Sequence, residues 1–153
     1  MYPWSHGCRW MMTTEIRRPV HLHWGFIGIV AAGGVLGALA RYGLGLLIPA
    51  PGSWPLPTLL INVSGALALG ALLEGLARRG PDVGRRRALR LALGTGFLGA
   101  YTTYSTLALD AVHLFTAGEA TAALGYLGVS LLGGAVATMA GIWLAAWHHR
   151  RAK

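Results

Sequence analysis

The sequence predicts an all-α integral membrane protein with four transmembrane helices, the third of them broken. Three observations carry this. Mean hydropathy is +0.52, with 54% hydrophobic and only 12% charged residues, more apolar run than a soluble domain of 153 residues needs. Four long apolar runs follow one another, at about residues 24–48, 57–76, 88–115 and 121–147. Inside the third run lies Gly94 to Asp110, GTGFLGAYTTYSTLALD, where Gly94, Gly96 and Gly99 precede Thr102, Thr103, Ser105 and Thr106. An interruption of that kind is tolerated at membrane depth where freed backbone groups are buried in protein or line a polar cavity. Glycines let the chain leave helical geometry, and hydroxyls satisfy the carbonyls and amides released. The competing reading is a continuous helix whose small residues serve close packing.

Residues 1–23 are polar, basic and aromatic, with no apolar run of signal-peptide length, and read as a loose cytoplasmic tail in which Met11 or Met12 is an alternative start. His6, Cys8, His21 and His23 match no zinc spacing, and the single cysteine excludes an internal disulfide. A net charge of +8 would suggest nucleic acid in a soluble protein, but these arginines flank apolar runs and act as topology signals.

The first helix carries Gly33, Gly37 and Gly45 on one face, with Arg41 on the same stripe. A charge at depth costs roughly 2.5–3.5 kcal/mol, so Arg41 either snorkels to the interface or faces a watery, anion-attracting vestibule. After the turn APGSWPLP, the second helix places Thr58 and Asn62 four residues apart on one face, with Gly65 and Gly70 thinning it. Asn62 is either interhelical glue or an amide offering donors to an anion. Residues 77–90 form a basic loop with six arginines, and the third span exceeds the length of one crossing, as a broken helix would. The next loop holds Glu119 and no Lys or Arg. The fourth helix carries Tyr126, Ser130, Gly134 and Thr138 at i+4 spacing, and the chain ends in the basic tail 148–153.

GGVLGALARY, PTLLINVSGALALG, GFLGAYTTYST and GYLGVSLLGG, in that order, resemble the Fluc/CrcB fluoride channel family from roughly Gly33 to Gly141. The resemblance implies a fluoride-selective channel in the bacterial plasma membrane, built as an antiparallel dual-topology-type dimer. It also implies two fluoride pathways and a central structural Na⁺ held by backbone carbonyls at the breaks. Carried over, the Na⁺ carbonyls fall on Gly99 and Thr102. The fluoride path falls on Thr58, Asn62, Tyr104, Ser105, Thr106, Leu107, Tyr126 and Ser130, and the vestibule on Arg41 and Asp110. Three departures stand out: TTFSTF reads TTYSTL, the second serine of the fourth-helix track is Gly134, and the Gly-Gly before the break is Gly99-Ala100.

Fluoride is small and tightly hydrated, so a selective pathway replaces its water with donors such as the Asn62 amide and the Thr58 and Ser130 hydroxyls. Ring edges carry positive quadrupole density, which Tyr104 keeps and Leu107 lacks. No nucleophile–base pair or acid–base dyad suggests an enzyme. A small multidrug-type proton-coupled exporter would need a membrane-embedded carboxylate, whereas Glu74 and Asp110 lie near helix ends. A non-transporting structural subunit would not require the TTYST break. All but one of the 13 Lys and Arg residues fall on segments that four crossings put on one side, Arg41 being the exception. The positive-inside rule then places both termini in the cytoplasm, and the resemblance implies as partner either a second copy inserted the other way or an oppositely oriented homologue.

Overall fold

A computed structural model describes residues 24–50, 52 and 54–151. The readings made on residues 1–23 and on the last two residues lie outside the described residues. The described residues are all-helical: α1 Trp24–Leu47, α2 Leu56–Ala77, α3 Arg85–Leu89, a π-helical stretch Arg90–Leu98, α4 Gly99–Tyr101, α5 Tyr104–Thr116 and α6 Ala120–Arg151. No strand occurs among them.

Three helices, α1, α2 and α6, are long and apolar enough to cross a membrane. The run from Arg85 to Thr116 is divided, so no single piece of it reaches that length. Pro57 in the first turn of α2 needs no amide partner there, which suits proline to a helix start. The turn from α2 to α3 depends on Gly80 (φ 116°) and Gly84 (φ 53°), both in left-handed backbone that glycine enters without penalty. Within that turn Arg87 Nε donates to the Asp82 carbonyl at 2.9 Å and Arg90 donates to Asp82 Oδ2 at 2.8 Å. The Arg90 hydrogen bond holds the Asp82 carboxyl below the usual carboxylate range.

Small residues set the packing. A Cβ on Gly33 would strike the Ala92 carbonyl, and one on Gly37 the Phe97 carbonyl, so α1 lies directly on the π-helical stretch. Gly70 meets the Thr138 carbonyl and Gly141 the Leu67 carbonyl, which brings α2 and α6 equally close. Gly45, expected on the same stripe as Gly33 and Gly37, has nothing within 4 Å of its Cβ position. The stripe ends at Gly37 because the π-helical stretch that it packs against ends at Leu98. A separate apolar cluster of Leu59, Leu107, Ala111, Leu114, Ala123 and Tyr126 joins α2, α5 and α6. Leu36, Leu39, Leu131, Leu132 and Val136 are exposed, an outer surface suited to lipid.

The start of α1 meets α3, since Ile29 shares a cavity with Arg85 and Ala88, and the ends of α2 and α6 share another. The opposite end is marked by Trp54, whose ring meets Tyr126 edge-on at 6.4 Å. Helix α6 continues past Trp147 to Arg151, whose guanidinium lies 3.9 Å from the Trp147 ring centre. Cations in a last helical turn complement the helix dipole, which lets the basic residues extend the helix.

Candidate functional site

The site is built where the helical run starting at Arg85 stops. The π-helical stretch widens the helix ahead of the stop, and π turns concentrate at functional positions. Thr102 (ψ 156°) and Thr103 (φ −147°, ψ 122°) are extended, and helix resumes at Tyr104. The extended backbone must find partners other than its own helix. Asn62 of α2 supplies them: Thr103 N donates to Asn62 Oδ1 at 2.8 Å, and Asn62 Nδ2 donates to the Thr103 carbonyl at 2.9 Å. A side-chain amide offers the same donor–acceptor pair as a peptide, so Asn62 substitutes for a strand partner.

Thr103 is the hub of this arrangement. It caps α5, its Oγ1 accepting from Thr106 N at 3.2 Å and donating to Thr106 Oγ1 at 3.1 Å, with Ser105 Oγ 3.2 Å away. Thr102 turns the other way, its Oγ1 donating to the Leu98 carbonyl at 2.9 Å. Two carbonyls are released as a result. The amide that would close a helical bond on Gly99 is Thr103 N, held by Asn62. The amide that would close one on Thr102 is Thr106 N, held by Thr103 Oγ1. Gly99 and Thr102 are thus backbone positions whose oxygens are suited to a hard cation such as Na⁺.

Two cavities meet at Thr103. One, of about 300 Å³, is lined by Arg41, Thr58, Thr103 and Thr106 among others. The other, of about 320 Å³, is lined by Asn62, Thr102, Thr103, Tyr104, Leu107 and Thr138 among others. Among the described residues no carboxylate pairs with Arg41, whose side chain borders the first cavity. Between α2 and α6 sits a polar layer: Tyr126 is fully buried and its hydroxyl donates to Asp110 Oδ2 at 3.3 Å. The Thr58 and Ser130 hydroxyls lie beside the same phenol. Ser130 Oγ is buried and makes no hydrogen bond of good geometry.

Ten of the twelve residues named from the sequence fall into three groups. Asn62, Thr102, Ser105, Thr106 and Gly99 gather at the break, Thr58, Tyr126, Ser130 and Asp110 form the polar layer, and Arg41 borders the first cavity. Tyr104 is 81% exposed and Leu107 is buried, so these two neighbours in sequence face opposite surroundings. The fourth-helix stripe is split: Tyr126 and Ser130 join the polar layer, while Thr138, whose Oγ1 donates back to the Gly134 carbonyl at 2.9 Å, borders the Asn62 cavity. Thr103 was the residue missed as a site, although its place before Tyr104-Ser105-Thr106 is a cap signal. Tyr101, whose hydroxyl is 2.9 Å from Ser64 Oγ and whose ring stacks on Phe97 at 5.9 Å, gave no sequence signal.

Long apolar helices enclosing hydroxyls, an amide and an interrupted backbone define a helical integral membrane protein with an internal polar layer. Residues 28–142 match the family described as CrcB-like protein, Camphor Resistance (CrcB), and the chain belongs to that family. It is 46% identical over 128 residues to Fluoride-specific ion channel FluC 2 of Leifsonia xyli subsp. xyli, covering 84% of this chain and 88% of that one. It is 48% identical over 119 residues to Fluoride-specific ion channel FluC 2 of Symbiobacterium thermophilum (76% and 94%) and 43% identical over 121 residues to Fluoride-specific ion channel FluC 1 of Moorella thermoacetica (76% and 82%).

Proposed function

We propose that this chain is a subunit of a fluoride-selective channel that lets cytoplasmic fluoride leave passively across the bacterial plasma membrane. The observation that carries this is the pair of cavities meeting at Thr103 and bordered by neutral donors, in a chain whose relatives are named fluoride-specific channels. Neutral donors strip water from a small anion yet hold it weakly enough to release it. The N-terminus of α5, capped at Thr103, adds a positive dipole end facing the break. Arg41 concentrates anions in the first cavity, and Thr58, Asn62, Tyr104, Thr106, Tyr126 and Ser130 form the path with Leu107 and Ser105 beside it. Tyr126 donates onward to Asp110, which keeps that carboxylate engaged.

In this reading four crossings are made, the third by the divided run from Arg85 to Thr116, and a second subunit packs antiparallel on the face that exposes Tyr104 and Gly99. The carbonyls of Gly99 and Thr102 would hold a structural Na⁺ there, tying two breaks together. The end bearing the α2–α3 turn and the end of α6 faces the cytoplasm. Because the basic residues are so one-sided, the second subunit is an oppositely oriented homologue, and Leu107 and Gly134 mark a pathway free to degrade beside an intact one.

Liposomes loaded with fluoride and read with a fluoride electrode test this, protein alone against protein with a candidate homologue. Efflux without a pH gradient supports the channel. Movement of a cationic drug driven by a pH gradient would replace it with a proton-coupled exporter, and no transport in either form would leave a structural subunit.

A further inference from the structure

We propose that the groove between the ends of α2 and α6 is a binding site for an anionic phospholipid. The groove holds about 440 Å³ and lies away from the Thr103 cavities. Its walls are apolar, with Leu72, Gly75 and Leu76 on α2 and Ala145 on α6, and its mouth carries Arg79, His148 and His149. Gly75 leaves the floor open, since a Cβ there would meet nothing within 4 Å.

Among the described residues, no carboxylate neutralises the charge at the mouth. Among the described residues two carboxylates lie at this end, and both are engaged: Glu74 by Arg78, Asp82 by Arg87 and Arg90. Among the described residues Arg79 makes neither an ion pair nor a side-chain hydrogen bond. A cationic mouth over an apolar cleft matches a phosphodiester headgroup with the upper part of its acyl chains below it. The depth agrees as well. Trp143 and Trp147, stacked at 6.2 Å on α6, flank the same end, and tryptophans concentrate at the level of lipid headgroups. The size and apolar lining of the cleft favour a lipid over a free phosphate, which would use only the mouth.

Native mass spectrometry of the full chain, released from nanodiscs of mixed phosphatidylglycerol and phosphatidylcholine, tests the site. The wild type should retain phosphatidylglycerol in preference to phosphatidylcholine. Arg79→Gln should weaken that retention about fivefold, the factor that about 1 kcal/mol per basic residue near an anionic surface corresponds to. His148→Gln with His149→Gln should weaken it further. Gly75→Leu has room for its Cβ, extends into the cleft and should abolish retention while the mouth stays intact. Equal retention of the two lipids by the wild type overturns the proposal, as does unchanged preference in these variants. Displacement of the lipid by excess inorganic phosphate would reassign the mouth to a soluble anion and equally overturn it.

Discussion

Asn62 and Ser130 show what single side chains do in this protein, and they do opposite things. Both hydrogen-bonding ends of the Asn62 amide are used on Thr103, which makes the residue interhelical glue and leaves one of its N–H groups outside that pair. Asn62→Asp faces a carboxylate oxygen toward the Thr103 carbonyl and leaves it without a donor, a loss of about 1–3 kcal/mol. Fluoride efflux should drop to background and the melting temperature should fall; undiminished efflux from a well-folded variant would remove Asn62 from the path. Ser130 makes no hydrogen bond of good geometry, so the fold gains little from its hydroxyl. Ser130→Ala should melt no lower than the wild type yet slow efflux by an order of magnitude, about the factor that 1.4 kcal/mol of lost stabilisation represents. Equal efflux would mean that the hydroxyl is not on the ion's route.

At the level of elements, helices approach where glycine permits and separate where it does not. Gly37→Ala sets a methyl against the Phe97 carbonyl and should destabilise by about 1–3 kcal/mol, the usual range for overpacking. Gly45→Ala meets nothing and should be neutral in the same thermal unfolding assay; equal effects would contradict the packing of α1 on the π-helical stretch. The break offers a second comparison. Thr102→Ser keeps the hydroxyl that bonds the Leu98 carbonyl and should be mild. Within the subunit a Cβ at Gly99 meets only the Gly94 carbonyl at 3.7 Å, an ordinary contact. In the assembly proposed above, Gly99→Val should leave helix content unchanged by circular dichroism and still abolish assembly and Na⁺-dependent stabilisation. Normal assembly of that variant would move the cation site elsewhere.

For the whole molecule, orientation is the property that the charges decide. The start of α1, the α2–α3 turn and the end of α6 lie at one end, and these border the arginine-rich segments. Juxtamembrane arginines are retained on the cytoplasmic side during insertion, so a single orientation is expected. Cysteines placed at both termini should resist labelling by an impermeant reagent in intact cells. Substantial labelling from outside would mean insertion both ways, and the case for an obligate partner of opposite orientation would fail.

The sequence by itself determined that the chain lives in a membrane, where its apolar runs begin and end to within a few residues, and where the backbone would be interrupted. Hydropathy, proline and glycine act locally, and local signals survive in one dimension. Hydroxyls at Thr58, Tyr126 and Ser130 were visible as candidates for the same reason. What only the tertiary structure decided is which partners those groups take. Asn62 and Thr103 are 41 residues apart, and nothing in either segment names the other. Their pairing exists because glycines let α2, α6 and the divided third run pack without intervening side chains, which brings one amide opposite one extended residue. The same closeness draws Thr103 N away from the Gly99 carbonyl, since a hydrogen bond taken across the fold is one withdrawn from the local helix.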